Sequence, residues 1–176
     1  MKLLKKYIKE ILLEGTDDLN ITVRKGNKSY PPSNIQVLLY NDSEVLGEVN
    51  GYRVDMEFCD VSGSECYKEI DDLIKRYPEV LDENRQPRIA EIYQADIVES
   101  FRGRGWGVRL YIEFMRRFWD ENSMGKPFIL IPNGCNLKME GSSSEDSIRV
   151  WRSLSKKFPS AGEDFSTCIV VLEKPE

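Results

Sequence analysis

Histidine is absent from the 176 residues, and with it go the Ser-His-Asp and Cys-His forms of nucleophilic catalysis. Proton transfer therefore falls to carboxylates, tyrosine, lysine, cysteine or water. Cysteine is scarce: Cys59, Cys66, Cys135 and Cys168 stand far apart, with no CxxC pair. A zinc site would need cysteine and carboxylate ligands at spacings this chain does not offer, so no metal is expected. Four reduced thiols in a cytoplasmic protein are the simplest reading. No apolar run approaches the ~20 residues that cross a bilayer, and no membrane is expected as a partner. The basic opening "MKLLKKYIKEILLE" lacks the continuous apolar stretch and small-residue cleavage site of a secretory signal.

What is present suits a globular protein. The chain is 40% hydrophobic and 31% charged, a balance that argues against disorder, and its length favours a single domain over 1–176. The net charge of −5 hides an asymmetry. Residues 40–99 carry 16 Asp/Glu against 6 Lys/Arg, a net of −10, whereas residues 100–157 carry 11 Lys/Arg against 6 Asp/Glu, a net of +5. Such a division fits ordinary solvated surface, or a cleft with one wall for a cation and the other for a polyanion.

Hydrophobic spacing predicts a mixed α/β domain. A first helix is expected over 2–14, with Leu4, Tyr7, Ile8 and Ile11 on one face, ended by Gly15. A strand is expected at 35–40, a turn at "NDSE", and a hairpin over 45–58 folded at Asn50-Gly51. "SECYKEIDDLIKRY" spaces Tyr67, Ile70, Ile74 and Tyr77 helically before Pro78, and 88–98 alternates as a strand. From 106 onward a helix carries Val108, Tyr111, Ile112, Met115 and Trp119 on one face, widened by Leu110, Phe114 and Phe118. "PFILIP" (127–132) reads as an interior parallel strand. A helix near 145–157 opens on a capping box (Ser142 with Glu145), and "FSTCIVVLEKP" is a last strand.

The chemistry gathers at "VESFRGRGWGVRLY", where Gly103, Gly105 and Gly107 alternate between a strand and an apolar helix. Glycine permits positive φ and clears side chains from an approaching ligand. The freed N–H groups and the helix N-terminus then face an anion together. The Walker pattern GxxxxGK[ST] is absent, and spacing two apart fails the dinucleotide pattern GxGxxG. An RGG-type nucleic-acid segment would not sit between a firm strand and a firm helix. Nucleic acid is therefore the least favoured partner, as the acidic total also indicates.

The pattern that does fit is R-x-x-G-x-G, as Arg102-Gly103-Arg104-Gly105-Trp106-Gly107, with Phe101 before it. Together with "PFILIP" and "SIRVWRSLSKKF", it resembles the Gcn5-related N-acetyltransferase (GNAT) superfamily over roughly 88–158. The resemblance implies a central mixed, mostly antiparallel sheet flanked by helices, with a splayed parallel strand pair. It also implies an acceptor-side half (1–87, with the N-terminal helix) and a coenzyme A-binding half (88–176).

By that resemblance, main-chain N–H groups from Arg102 through Gly103, Arg104, Gly105, Trp106 and Gly107 to Val108 would hold the pyrophosphate of acetyl-CoA. Main chain of Ile97, Val98 and Glu99 would pair with the pantetheine arm. Arg102 and Arg104 would add charge near the phosphates, with Arg149 or Lys156 at the 3′-phosphate. For the base that accepts the amine proton the candidates are Glu91 first, then Asp96 or Glu99. The family's acid, a tyrosine, falls on Trp151, an indole that donates a hydrogen bond but is no practical acid; Tyr93 is the candidate substitute. Ser144 stands where the family has asparagine.

The function these features imply is acetyl-CoA-dependent transfer of an acetyl group to a primary amine of a cationic small molecule or protein, by direct attack. The alternative is a protein of the same fold with weak or no turnover, acting as a coenzyme A-binding or protein-interaction module. Trp151 and the long "NGCNLKMEGSSSED" loop are its support. A monomer or homodimer is expected. The opening stretch looks like the starts of proteins from large tailed phages, which would put it in a host cytoplasm.

Overall fold

The computed structural model describes residues 19–25, 34–42, 44–54, 65–132, 145–161 and 168–176. The expected first helix (2–14), the capping residue Ser142 and Ser144 lie outside them.

Six strands form one sheet in chain order: β1 (Leu19–Lys25), β2 (Ile35–Asn41), β3 (Glu44–Val54), β4 (Ile89–Ile97), β5 (Phe128–Pro132) and β6 (Ile169–Val171). Every neighbouring pair is antiparallel except β4–β5, which is parallel. The connection between that pair is helical, as parallel strands require. Three helices are described: α1 (Glu65–Arg76), α2 (Trp106–Glu121) and α3 (Glu145–Ser155). This is the mixed, mostly antiparallel sheet with one parallel pair that the resemblance implied.

The two faces of the sheet carry separate cores. On one, α2 lays Leu110, Phe114 and Phe118, spaced four apart, together with Tyr111 and Met115, over Val37, Leu39, Val49 and Ile92. Phe118 stacks on Phe128 with ring centroids 4.6 Å apart. Burying each such ring contributes about 1.5–3 kcal/mol, and a tilted aromatic pair adds roughly 0.5–1.5 kcal/mol. On the other face, Ile70 and Leu73 of α1 cover Val54, Ile89, Ile129, Ile131 and Val170. α1 stops before Pro78, whose ring disfavours a helical residue ahead of it.

The structure departs from the sequence expectations in three places. No hairpin folds at Asn50-Gly51, because β3 runs unbroken through both residues. The hairpin turn is the one expected at "NDSE", between β2 and β3, where Asp42 takes a positive φ of 47°. Gly51 is bare for packing instead: a Cβ there would come within 2.5 Å of the Glu91 carbonyl and 2.6 Å of the Phe114 ring. The second departure is β1, a strand that the hydrophobic spacing does not predict. The third is the inward face of α2, which centres on Leu110, Phe114 and Phe118, while Val108, Ile112 and Trp119 are half-buried at its flanks.

One irregularity positions the site. β3 pairs with β4 through Asn50↔Gln94 and then Gly51↔Ile92, so Tyr93 is an extra residue in β4. A bulge of this kind bends its strand and increases the local twist. On the opposite edge, pairing with β5 runs from Ile89 to Ile92 and goes no further. Beyond the bulge, Tyr93–Ile97 has no partner strand on that side among the described residues.

Candidate functional site

From the unpartnered end of β4 the chain passes Val98 and a 3-10 turn (Glu99–Phe101) to the glycines. Gly103 and Gly105 take φ of +74° and +82°, left-handed values that glycine reaches without cost, and their α-carbons face open space. Gly105 is the N-cap of α2 and supplies no side-chain cap. The first N–H groups of any helix lack intrahelical acceptors, and Gly105 has no side chain to close them off. They lie at the positive end of a 16-residue helix dipole. Gly107 differs from the other two. It sits inside the first turn of α2, where a Cβ would stand 2.7 Å from Val150 Cγ2, so its bareness lets α2 and α3 pack closely.

A cleft of about 260 Å³ opens between the end of β4, the start of α2 and the start of α3. Of the residues expected at the cofactor, Ile97, Arg102, Gly103, Gly105, Gly107 and Val108 line it. Val98, Glu99, Arg104 and Trp106 do not. Trp106 is buried in the core with the Arg109 guanidinium 4.7 Å over its ring, and Arg104 lies 5.3 Å over Phe101.

The strand end is already engaged. Asp96 Oδ1 accepts the Ile97 N–H at 2.8 Å, and the Ile97 carbonyl accepts Arg102 Nε at 2.9 Å. The Val98 N–H donates to the Leu46 carbonyl and so faces β3, not the cleft. Arg102 also bridges Asp96 (3.6 Å) and, across the cleft, Asp146 on α3 (3.8 Å). Arg149 lines the cleft too, paired with Glu145 and Asp146. Lys156 lies past the end of α3, exposed and outside the cleft lining.

The four candidates for proton transfer separate, Glu99 lying outside the cleft lining. Asp96 lines the cleft. Glu91 and Tyr93 do not; they belong to a polar strip on the sheet, centred on the bulge. Glu91, 8% exposed, accepts the Tyr52 hydroxyl at 3.1 Å. Tyr93 stacks on Tyr52 with centroids 5.7 Å apart, and its hydroxyl accepts Asn34 Nδ2 at 2.9 Å. Tyr52 packs against the α1-side core, so Glu91, its cross-strand partner, faces away from α2. Farther along, Gln94 donates to Glu48 and accepts from Asn50.

Sequence reasoning missed Tyr111, Glu48 and Asp146 as cleft residues. Tyr111 is 4% exposed yet lines the cleft, packed edge-on against Trp151 with centroids 5.6 Å apart. Burial pushes the phenol far above the ordinary tyrosine range, a rise that the neighbouring Trp151 side chain offsets only in part. Trp151 itself, 1% exposed, is absent from the lining. The available signal was a lone hydroxyl on the apolar face of α2, one turn past Gly107.

No protein-family model matches the chain, and no curated protein sequence matches it. Among solved structures it is similar to a mutant AtaT toxin bound to the C-terminus of the antitoxin AtaR and acetyl-CoA. Identity is 14%, coverage 89% of this chain and 94% of that one, and the TM-score 0.47. It is also similar to AtaTR bound with acetyl-CoA (13% identity, 89% and 94% coverage, TM-score 0.45). Arabidopsis thaliana NAA60 in complex with acetyl-CoA is a third (17% identity, 87% and 98% coverage, TM-score 0.45). At such identities and scores the fold stands on the chain's own strand order: a six-stranded mixed sheet, antiparallel but for β4–β5, with the glycine turn and α2 following β4, which is the architecture the GNAT resemblance implied.

Proposed function

We propose that the protein is an acetyl-CoA-dependent N-acetyltransferase acting on a primary amine of a cationic small molecule or protein. The carrying observation is the pair of left-handed glycines, Gly103 and Gly105, opening an uncapped helix onto the cleft beside an unpartnered strand end. A diphosphate fits that cradle, because main-chain N–H groups and the helix dipole favour its charge. A pantetheine arm fits the free side of β4, provided the Arg102 and Asp96 caps on Ile97 give way. The solved structures of AtaT and NAA60 hold acetyl-CoA; for this chain the reading rests on its own cleft.

Acetyl-CoA would supply an activated thioester, and the chain's residues would bind and orient it. Glycines 103 and 105 clear the approach, the α2 terminus takes the negative charge, and Arg102 and Arg149 stand on either side of the cleft to meet phosphates. Glu91 would accept the proton of the attacking amine through water, from the β4 position just before the bulge. Its carboxylate is held by Tyr52, which keeps it oriented. The acceptor would then approach over the α1 side of the sheet, in keeping with the acidic charge of residues 40–99. The half spanning 1–87 would face the acceptor and 88–176 the coenzyme.

Calorimetry with acetyl-CoA, followed by intact-mass screening of peptides, polyamines and aminoglycosides with acetyl-CoA, tests the reading. Saturable binding with a mass gain on one class of amine is expected. No binding at millimolar acetyl-CoA would overturn it. Binding without any transfer would favour a coenzyme A-binding module, the reading that Trp151 supports.

A further inference from the structure

Resting on that function, the end of β4 has a second property: its free edge is already sealed. The Val98 N–H donates to the Leu46 carbonyl, which continues the β3–β4 register of Gly47 with Ile97 and Glu48 with Asp96. Along an antiparallel ladder, successive residues turn their main-chain groups to alternate sides. Those of Val98 and Asp96 therefore point to β3. Those of Ile97 and Ala95 point to the edge that β5 leaves uncovered.

Both edge groups of Ile97 are occupied from within the chain. Asp96 Oδ1 accepts its N–H at 2.8 Å, and Arg102 Nε donates to its carbonyl at 2.9 Å. The two capping side chains pair with each other at 3.6 Å, and Arg102 reaches on to Asp146 of α3 at 3.8 Å. We infer that Arg102 is a strap released by phosphate. It seals the strand edge at Ile97 and ties β4 to α3 across the cleft until a diphosphate at the glycine turn draws it away. The diphosphate end of the coenzyme then unlocks the slot for its own pantetheine arm.

Three features favour release. Arg102 directly precedes Gly103 and lines the same cleft as Gly103 and Gly105, so an anion held at the turn lies within reach of its side chain. Its present partners are wet: the side chains of Arg102, Asp96 and Asp146 are 45%, 71% and 41% exposed. Each such ion pair shifts an equilibrium by no more than about fivefold, whereas a diphosphate offers several charges in a geometry that a guanidinium matches bidentately. Departure also loosens the second cap. Asp96 stands opposite Glu48 in the register, and without Arg102 two carboxylates face each other. Asp146 keeps Arg149 at 3.4 Å.

A ligand shifts an equilibrium only through its different affinity for the two states, and the coupling between two ligands is reciprocal. Diphosphate engages Arg102, and pantetheine engages Ile97, only with the strap open. A thioester without the diphosphate therefore meets a closed edge, and the protein selects coenzyme A over pantetheine by more than the contacts the smaller molecule lacks.

The test titrates millimolar pantetheine calorimetrically, with and without saturating 3′-phosphoadenosine 5′-diphosphate, the nucleotide half of the coenzyme. In the wild type the nucleotide should tighten pantetheine binding roughly tenfold, the size of two or three such contacts. The double variant Asp96→Asn/Asp146→Asn keeps side-chain shape and removes the charges that hold Arg102. It should bind pantetheine alone as tightly as the nucleotide-loaded wild type does, with the coupling gone. Arg102→Gln should weaken the nucleotide yet strengthen pantetheine alone, whereas a residue that merely supports the turn would weaken both. The strap is also read without any ligand: Arg102 Nε–H should give a slowly exchanging magnetic-resonance signal that the nucleotide shifts. Pantetheine affinity indifferent to the nucleotide, coupling that survives in the double variant, or fast exchange at Nε–H in the free protein would overturn the inference. A protected Nε–H in a wild-type protein that binds neither coenzyme A nor the nucleotide would instead sink the acetyl-CoA reading, and release by phosphate with it.

Discussion

Gly107→Ala isolates a claim that the glycine pattern alone does not make: that the third glycine serves helix packing. The new Cβ would lie 2.7 Å from Val150 Cγ2, about 1 Å inside the ordinary carbon–carbon separation of ~3.5–4.0 Å. Valine is stiff at χ1, and Val150 adjoins Trp151, which is wholly packed, so relief requires α3 to shift. Overpacking of this kind costs about 1–3 kcal/mol. The alanine recovers up to ~1 kcal/mol of helix propensity, less in a first turn. A net loss of about 1–2 kcal/mol is expected. Val150→Ala alone, at a half-buried position, should cost about 1 kcal/mol. The double variant should be no worse than Val150→Ala alone, because the clash is gone, giving a coupling of about 1–2 kcal/mol between the sites. Urea unfolding with unchanged m-values measures all four proteins. Strict additivity, or a Gly107→Ala protein as stable as wild type, would refute the packing argument. Calorimetry on the double variant adds a second readout: restored coenzyme A affinity means the bareness serves the helices, whereas persistent loss means the cofactor needs it.

Other substitutions follow the same geometry. Gly51→Ala forces a methyl against the Glu91 carbonyl and the Phe114 ring, and it should destabilise by about 3 kcal/mol or more, lowering Tm by roughly 6–12 °C; a calorimetric Tm within two or three degrees of wild type would contradict it. Gly103→Ala meets no atoms but keeps a left-handed backbone, so a loss of only about 1–2 kcal/mol is expected in the same melt. Asp146→Asn leaves Arg102 and Arg149 without a shared carboxylate and should tighten acetyl-CoA binding several-fold, since exposed pairs of this kind are worth up to ~1 kcal/mol; weaker binding by titration would count against phosphate at those arginines. Tyr111 carries the remaining prediction. Its folded pKa is raised, so the folded protein keeps the phenol proton where the unfolded chain, with its pKa near 10, loses it. Stability is then whole below about pH 10 and falls above it by about 1.4 kcal/mol per pH unit, an alkaline slope that Tyr111→Phe should lack.

Much of this architecture was legible because period and punctuation agreed. The 3.6-residue spacing of Leu110, Phe114 and Phe118, the apolar run Phe128–Pro132 and the glycines before Trp106 each point one way. The errors arose where one residue type serves two purposes. Asn-Gly marks a tight turn in isolation, but at Asn50-Gly51 the glycine is bare because the β4 backbone and Phe114 crowd it. β1 alternates only weakly, with Ile21 half-exposed at a sheet edge, so its β-branched run carried little periodic signal. In the site, the glycine turn was readable from sequence, whereas the cleft's inner wall was not. Tyr111 reads as one more apolar-face aromatic until the packing of Trp151 beside it is known. The bulge at Tyr93, beyond which β4 has no β5 partner, arises from strand pairing and leaves no local mark.

The most direct test of the central claim is an amide nuclear-magnetic-resonance titration with coenzyme A, set against pantetheine, which lacks the diphosphate. Saturable shifts of the Gly103, Gly105, Gly107 and Val108 amides with coenzyme A, and not with pantetheine, are predicted. Amides at this turn that stay unmoved by millimolar coenzyme A would contradict the account.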